Sequence, residues 1–250
     1  MTTTTEYQKC GADLERLLLL KTSPIAVKML KSEADIPEGA FRPKRDKNVH
    51  YAQCQAFALS RREKMTVAML AADNWCFAPP IAYGLVDRPD NPEFEFFTDF
   101  PRFERGRYIG IVSAPLKSAD FEPDIVITYC NPVQLRNLLQ PLHFARRADE
   151  VMCNFFPPVC SQAVVTVLET GKFLVAVPDP GEAMRACPAD DELIISAPAS
   201  KMAGLVEALQ EMFKRGASGH VSTPILMQAD YEQPPMYQAL FRQWGILEED

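Results

Sequence analysis

The feature that most constrains the fold is a helix–strand pattern that occurs twice along the chain. In the first half, a helix that starts near Cys54 is followed by a strand and then by Cys76. In the second half, a helix that starts near Cys160 is followed by a strand and then by Cys187. The two cysteines of each half are separated by 22 and 27 positions respectively, a difference that loops absorb at little cost.

The correspondence extends beyond the cysteines. The sequence IVSAP at 111–115 matches IISAP at 194–198, and each half ends with a strand, a proline and an amphipathic helix. We therefore expect an α/β fold of mixed α+β type, in which two related cysteine–helix–strand–cysteine units pack as one pseudo-two-fold domain. The units are approximately 51–148 and 157–216 within a single domain over 1–250, with extra helices at the N- and C-terminus. Such packing would bring all four cysteines to one interface.

Hydrophobic periodicity places the individual elements. Residues that recur at helical spacing predict helices over 5–20, 51–62, 159–168, 200–215 and 235–244, and a further helix opened by Asn131 as cap and Pro132 as first residue. Short apolar runs predict strands at 25–30, 65–71, 93–97, 108–113, 124–129, 173–177 and 192–197. We interpret 31–48, 151–158 and 179–190 as loops, because prolines, glycines and charges are concentrated there.

Composition excludes several classes of protein. A chain of 250 residues with 47% hydrophobic and 24% charged residues can bury a full core without metal or disulfide bonds. Its net charge of −7 argues against nucleic acid or an anionic membrane as the main partner. No secretory signal is visible at the start, and the apolar runs are too short to span a bilayer. We therefore expect a cytoplasmic protein whose seven cysteines are thiols or metal ligands; a homo-oligomer is left open.

Four of the cysteines are candidate metal ligands: Cys54, Cys76, Cys160 and Cys187. Two of them fall near helix N-termini, where the macrodipole favours thiolate, the form that binds metal. Four thiolates suit tetrahedral zinc or an iron–sulfur cluster, and the absence of close cysteine pairs disfavours structural zinc. Ligands of iron–sulfur clusters come from dispersed positions, and Cys187-Pro188 resembles the Cys-Pro step of some cluster motifs.

Other interpretations of the cysteines stay open. Free cysteine is among the most buried residue types, so all seven could be small core residues, and zinc or a redox dithiol are further alternatives. Cys10 and Cys130 fall in a helix and at the end of an apolar strand, which favours the core for both. Cys153 is a reserve ligand candidate, because it lies shortly before Cys160 in an aromatic, proline-rich segment.

Basic residues outside the cysteine pattern are candidates for binding an anionic cofactor or substrate. These residues are Arg42, Arg45 and Arg105, and a solvated surface is the alternative for each. Phosphate-loop, dinucleotide and hydrolase fingerprints are missing from the sequence, so the catalytic residues, if any, stay unknown.

Four short motifs follow one another along the chain: CQA from Cys54, CFAPPIAYGL from Cys76, PDIVI from Pro123 and NPVQ from Asn131. In order and spacing they resemble domain-of-unknown-function family 169, and the resemblance covers roughly 17–210. The family is found largely in archaea and anaerobic bacteria, which would suit an oxygen-sensitive cluster. Its pattern has cysteines that match Cys160 and Cys187, although the flanking glycines of the latter are replaced here.

These observations favour a cytoplasmic iron–sulfur protein, with a [4Fe-4S] cluster between the two halves, that acts in electron transfer or a redox reaction with a partner protein or small molecule. The alternative is a metal-free ligand-binding or accessory module, in which the cysteines are packed in the core and the arginines bind an anion. Whether the protein is an enzyme stays open.

Overall fold

The computed structural model describes residues 2–91, 93, 99–153, 155, 157–215, 233 and 235–247. The chain divides into two compact units, residues 1–219 and residues 220–250. The first unit contains the sheet and the helices that carry Cys54 and Cys160.

Seven strands and nine α-helices lie in the described part of the chain. The strands are β1 (Ile25–Leu30), β2 (Val67–Leu70), β3 (Gly110–Pro115), β4 (Ile125–Cys130), β5 (Val151–Cys153), β6 (Phe173–Ala176) and β7 (Leu193–Pro198). The helices are α1 (Thr4–Leu18), α2 (Pro43–Lys47), α3 (Gln53–Glu63), α4 (Ala78–Ala82), α5 (Pro132–Phe144), α6 (Val159–Thr170), α7 (Pro180–Ala186), α8 (Met202–Lys214) and α9 (Pro235–Gln243).

One mixed sheet contains all seven strands, in the order β2-β3-β1-β4-β7-β6-β5. Neighbouring strands are antiparallel except for β5 and β6, which are parallel. On either side of the central β1–β4 pair, the order of the next two strands corresponds: β3 then β2, and β7 then β6. The mixed α/β fold is confirmed, whereas a two-fold rotation between the halves stays a prediction.

The sheet is covered on both faces, because each face supplies its own hydrophobic cluster. In β1, Ile25 and Val27 face the side covered by α3, α4 and α6, and Ala26 and Leu30 face the side covered by α1, α5 and α8. Strands buried on both sides consist of nearly continuous apolar residues rather than alternating ones, as β3 and β4 do here. The fold is therefore a three-layer sandwich in which α3 and α6 share one face.

Local sequence signals account for the helix ends. Thr3 and Glu6 form a capping box at the start of α1, and Asn131 with Gln134 forms another at the start of α5, before Pro132. Gly171 ends α6 in the left-handed conformation that glycine adopts without strain. The predicted cap and first residue of α5 are confirmed.

All three predicted loops were wrong in part. Residues 31–48 contain α2, which begins at Pro43, a residue type favoured at the first position of a helix. Residues 179–190 contain α7, which Asp179 caps by accepting a hydrogen bond from the Glu182 amide. The loop at 151–158 begins with β5, a short parallel strand that pairs only with β6 at the sheet edge. The strand predicted at 93–97 lies, except for its first residue, outside the described residues.

The second unit contributes α9, in which every described residue stays at least partly exposed. Across the described ranges, no helix has both the length and the apolar character that crossing a bilayer requires.

Candidate functional site

The candidate site lies where α3 and α6 begin. Cys54 is the second residue of α3 and Cys160 is the second residue of α6, and both are buried on the same face of the sheet. In the first turn of a helix the backbone amides lack intrahelical acceptors, so two positive helix ends are directed to this region. The common placement of these two cysteines agrees with the expectation from the sequence.

Cys76 reaches the same region from the loop after β2. The Tyr51 amide donates to the Asp73 carbonyl at 3.0 Å and the Trp75 amide donates to the Tyr51 carbonyl at 2.9 Å, so this loop is tied to the segment that leads into α3. Cys76 is partly buried and packs against the same hydrophobic cluster as Cys54 and Cys160.

The surroundings of the thiols raise their pKa values. Burial raises the pKa of Cys160 well above its ordinary value, and the nearby Cys54 and Glu182 raise it further. Burial also raises the pKa of Cys54 to about 12, with Glu182 as the next contribution. The helix ends were expected to favour thiolate, but desolvation outweighs them, so without a cation these two thiols are neutral at pH 7.

Glu182 of α7 adds a carboxyl group to this cluster. The side chain is almost fully buried, and burial raises its pKa to about 7. Its Oε1 accepts a hydrogen bond from the Tyr129 hydroxyl, whereas its Oε2 has no hydrogen-bond partner among the described residues. Glu182 therefore has one anchored oxygen and one free oxygen.

Asp179 connects α7 to the start of α6. Its Oδ1 accepts from the Glu182 amide at 2.8 Å and its Oδ2 accepts from the Val159 amide at 2.8 Å. One carboxylate thus joins the backbone of Glu182 to the residue before Cys160. On the other side, the buried Tyr83 hydroxyl donates to the Cys160 carbonyl at 3.1 Å.

A buried ion pair supports Tyr129 from behind. The Arg61 guanidinium carbon lies 3.8 Å from the centre of the Tyr129 ring. The same guanidinium binds both carboxylate oxygens of Glu192, at 2.9 and 3.0 Å. This bidentate pair joins α3 to the residue before β7.

Gln53, the first residue of α3, has a side chain that is 1% exposed. Neither its amide nitrogen nor its amide oxygen has a hydrogen-bond partner in the ranges described. Buried amides are normally satisfied, so this one is an unexplained polar group beside Cys54.

The structure does not bring Cys187 to the other three predicted ligands. Cys187 is exposed at the C-terminal end of α7, and its carbonyl accepts a hydrogen bond from Arg62 at 2.6 Å. Arg62 is eight residues beyond Cys54 on α3, which is a rise of about 12 Å. Because α7 packs along α3, its C-terminal end lies away from Cys54, whereas Glu182 lies near it.

Two of the remaining cysteines lie where the sequence predicted. Cys10 and Cys130 are buried in the cluster on the opposite face, which confirms that they belong to the core. The reserve candidate Cys153 is exposed at the end of β5.

The three arginines proposed for anion binding each have a nearby carboxylate partner. Arg42 pairs with Asp73 at 3.1 Å, Arg45 pairs with Asp46 at 2.5 Å, and Arg105 lies 3.4 Å from Asp87. Anion binding by these arginines stays a prediction, and an anion would have to compete with these carboxylates.

As the side chains stand, no group of three or more His, Cys, Asp or Glu residues among those described could hold a metal ion. Metal binding at this site would therefore require side chains to turn toward a common point.

A family profile described as "Uncharacterised ArCR", DUF169, matches residues 13–208. The chain belongs to the DUF169 family. A curated relative described as "Uncharacterized protein MJ0308", from Methanocaldococcus jannaschii, is 23% identical over 235 residues, which is 86% of this chain and 98% of the relative. No solved structure gives a significant match to the chain. The DUF169 match confirms the resemblance seen in the sequence, and it spans all three clustered cysteines and Glu182.

Sequence reasoning missed several polar residues of this DUF169 site: Gln53, Tyr83, Tyr129, Asp179 and Glu182. The Asp179-Pro180 step was a readable signal, because an Asp cap followed by proline predicts a helix start and would have placed Glu182 in its first turn. The others carry no motif, since only the folded chain brings them to the thiols.

Proposed function

We propose that this protein is a cytoplasmic iron–sulfur protein whose cluster is bound by Cys54, Cys76 and Cys160 and that acts in electron transfer or a redox reaction. The observation that carries the proposal is that these cysteines, from three separate segments, belong to one hydrophobic cluster on one face of the sheet, with Cys54 and Cys160 in the first turns of their helices.

The chemistry of the donor set fits a soft metal centre. Neutral thiols in a desolvated pocket become thiolates when a metal offsets their charge, and binding then releases their protons. The two helix ends supply unpaired amide donors close to the thiolates, and such hydrogen bonds tune iron–sulfur clusters. Widely spaced cysteines favour a cluster over structural zinc, whose ligands come in close pairs.

The state of the cysteines supports a reducing compartment. All seven lie in the described part of the chain and none forms a disulfide. Free thiols in this number are typical of intracellular proteins, where they are kept reduced.

The test is anaerobic purification, with iron and acid-labile sulfide measured per chain. We expect a coloured protein that contains both, and we expect Cys54→Ser, Cys76→Ser and Cys160→Ser each to lose most of the iron. Cys187→Ser is the matched control and should retain it. Wild-type protein that binds neither iron nor sulfide after anaerobic reconstitution would overturn the proposal.

The second candidate is a metal-free ligand-binding or accessory module. The raised pKa of Cys54 and the present side-chain arrangement favour it, because buried neutral thiols can serve simply as core residues. In that case, the purified protein is colourless and lacks iron, and Cys54→Ala changes stability without changing any metal content.

A further inference from the structure

We infer that Glu182 supplies the fourth ligand of the centre through its free oxygen, so that the site is three thiolates and one carboxylate. The inference rests on the proposed function and replaces Cys187 with a residue that the sequence did not single out.

The position of Glu182 is set by the backbone of both neighbouring helices. Asp179 bridges the Glu182 amide and the Val159 amide, each at 2.8 Å, so the first turn of α7 is fixed against the first turn of α6. α7 also packs along α3, and the charge of Glu182 acts on both Cys54 and Cys160. Glu182 therefore lies near the first turns of α3 and α6.

The free oxygen requires an explanation. Glu182 is 2% exposed, and its Oε2 has no hydrogen-bond partner in the described chain. An unsatisfied buried polar atom destabilises the fold, and a charged one does so more strongly. A metal ion bound to Oε2 would satisfy this oxygen.

The other oxygen is held in the way that ligating carboxylates usually are. Oε1 accepts from the Tyr129 hydroxyl, and the Tyr129 ring is stacked on Arg61, which is itself fixed by Glu192. Such outer contacts orient a carboxylate and leave one oxygen for the metal. Glu182 is thus a buried carboxylate with one anchored oxygen and one unpaired oxygen, and the unpaired oxygen becomes available to a metal when the nearby thiols turn toward it.

A carboxylate in place of a fourth thiolate changes what the centre can do. Oxygen is a harder and weaker donor to iron than thiolate sulfur, so one iron is held less firmly and can exchange its ligand. A carboxylate also donates less electron density than thiolate and so stabilises oxidised iron less, which should make the reduction potential higher than with four thiolates. The iron next to Glu182 is then the position at which a small substrate would bind.

The experiment compares wild type with Glu182→Cys, Glu182→Gln and Glu182→Ala, all purified anaerobically. Glu207→Ala, which changes an exposed residue of α8 on the opposite face, is the control. Iron per chain, reduction potential and the electron paramagnetic resonance spectrum are measured, and far-UV circular dichroism verifies that each variant is folded.

We expect Glu182→Cys to keep about four irons and to have a lower reduction potential. Glu182→Gln and Glu182→Ala should lose one iron of the cluster on mild oxidation faster than wild type, and the three-iron form has its own resonance spectrum. The control should match wild type in every measurement.

Wild type that contains a cluster, together with folded Glu182 variants that match it in iron, potential and spectrum, would overturn this inference and leave the proposed function standing. Wild type without any cluster would overturn the proposed function and this inference together. Glu182→Gln preserves the size of the side chain, so the comparison holds even where Glu182→Ala fails to fold.

Discussion

The buried pair between Arg61 and Glu192 gives the sharpest prediction of stability. Their side chains are 1% and 6% exposed, and they come from positions 131 residues apart. We predict that Glu192→Ala strongly destabilises the fold, because it leaves a guanidinium in the interior without its carboxylate.

The size of each loss in stability follows from the contacts that the remaining charged side chain keeps. After Glu192→Ala, Arg61 keeps the Thr22 hydroxyl, the Tyr129 ring and the nearby Glu182, none of which replaces the bidentate carboxylate, so the loss in free energy of unfolding should be about 3–5 kcal/mol. After Arg61→Met, Glu192 keeps the Ala189 amide and has Arg62 at 3.9 Å, so the loss should be smaller. Replacing both residues by apolar ones should cost less than the sum of the single changes by about 2 kcal/mol or more.

The assay is urea unfolding of wild type, both single variants and the double variant Arg61→Met/Glu192→Leu, followed by far-UV circular dichroism at pH 7. A loss below about 1 kcal/mol for Glu192→Ala, the range of exposed pairs, would refute the reasoning. The reasoning would also be refuted if the losses of the two single variants summed to the loss of the double variant, because the pair would then show no coupling.

Three further predictions concern acid stability, thiol reactivity and packing. Burial acts to raise the pKa of Glu192, but the hydrogen bonds from its buried arginine partner outweigh burial and place that pKa below 4.5. The stability that this carboxylate contributes is therefore present above pH 4.5 and is lost as the pH falls through the lowered pKa. Between pH 7 and pH 3, the free energy of unfolding should fall more for wild type than for Glu192→Gln. An equal fall in both proteins would contradict this prediction. A thiol reagent should label exposed Cys187 rapidly in the native protein, as peptide mass mapping would show. Burial raises the pKa of Cys130 to about 12, so the reagent should label this thiol only after unfolding. Rapid labelling of Cys130 in the native protein would contradict its burial. Gly11→Ala should reduce the free energy of unfolding by about 1–2 kcal/mol, because the new Cβ would lie 2.6 Å from the Lys117 amide nitrogen. The urea midpoint should fall accordingly. A midpoint at or above that of wild type would show that the contact relaxes freely.

Much of the fold was predictable from the sequence. The strands β1, β4 and β7 and the helices α1, α5 and α8 have strong apolar periodicity or clear caps, so the pattern was enough to place them. The element α7 was missed because Pro178, Pro180 and Gly181 favour a loop, although the Asp179 cap decides for a helix. Strand β5 has three residues and exists through its pairing with β6, which no local pattern reveals.

The site was predictable only in part. The repeated pattern placed Cys54 and Cys160 at corresponding helix starts, and the structure brings them to one face. It also favoured Cys187, but the helix formed by residues 180–186 carries that cysteine to its far end. Glu182 takes the near position, and neither its burial nor its free oxygen can be read from the sequence, because both depend on contacts across the fold.

The most direct test of the central claim is anomalous X-ray scattering at the iron absorption edge from a crystal of the anaerobically purified protein. We predict one strong peak among the Sγ atoms of Cys54, Cys76 and Cys160, with an Oε atom of Glu182 at its edge. Diffraction that locates these side chains well but shows no iron peak between them, or an iron peak elsewhere in the protein, would contradict the account.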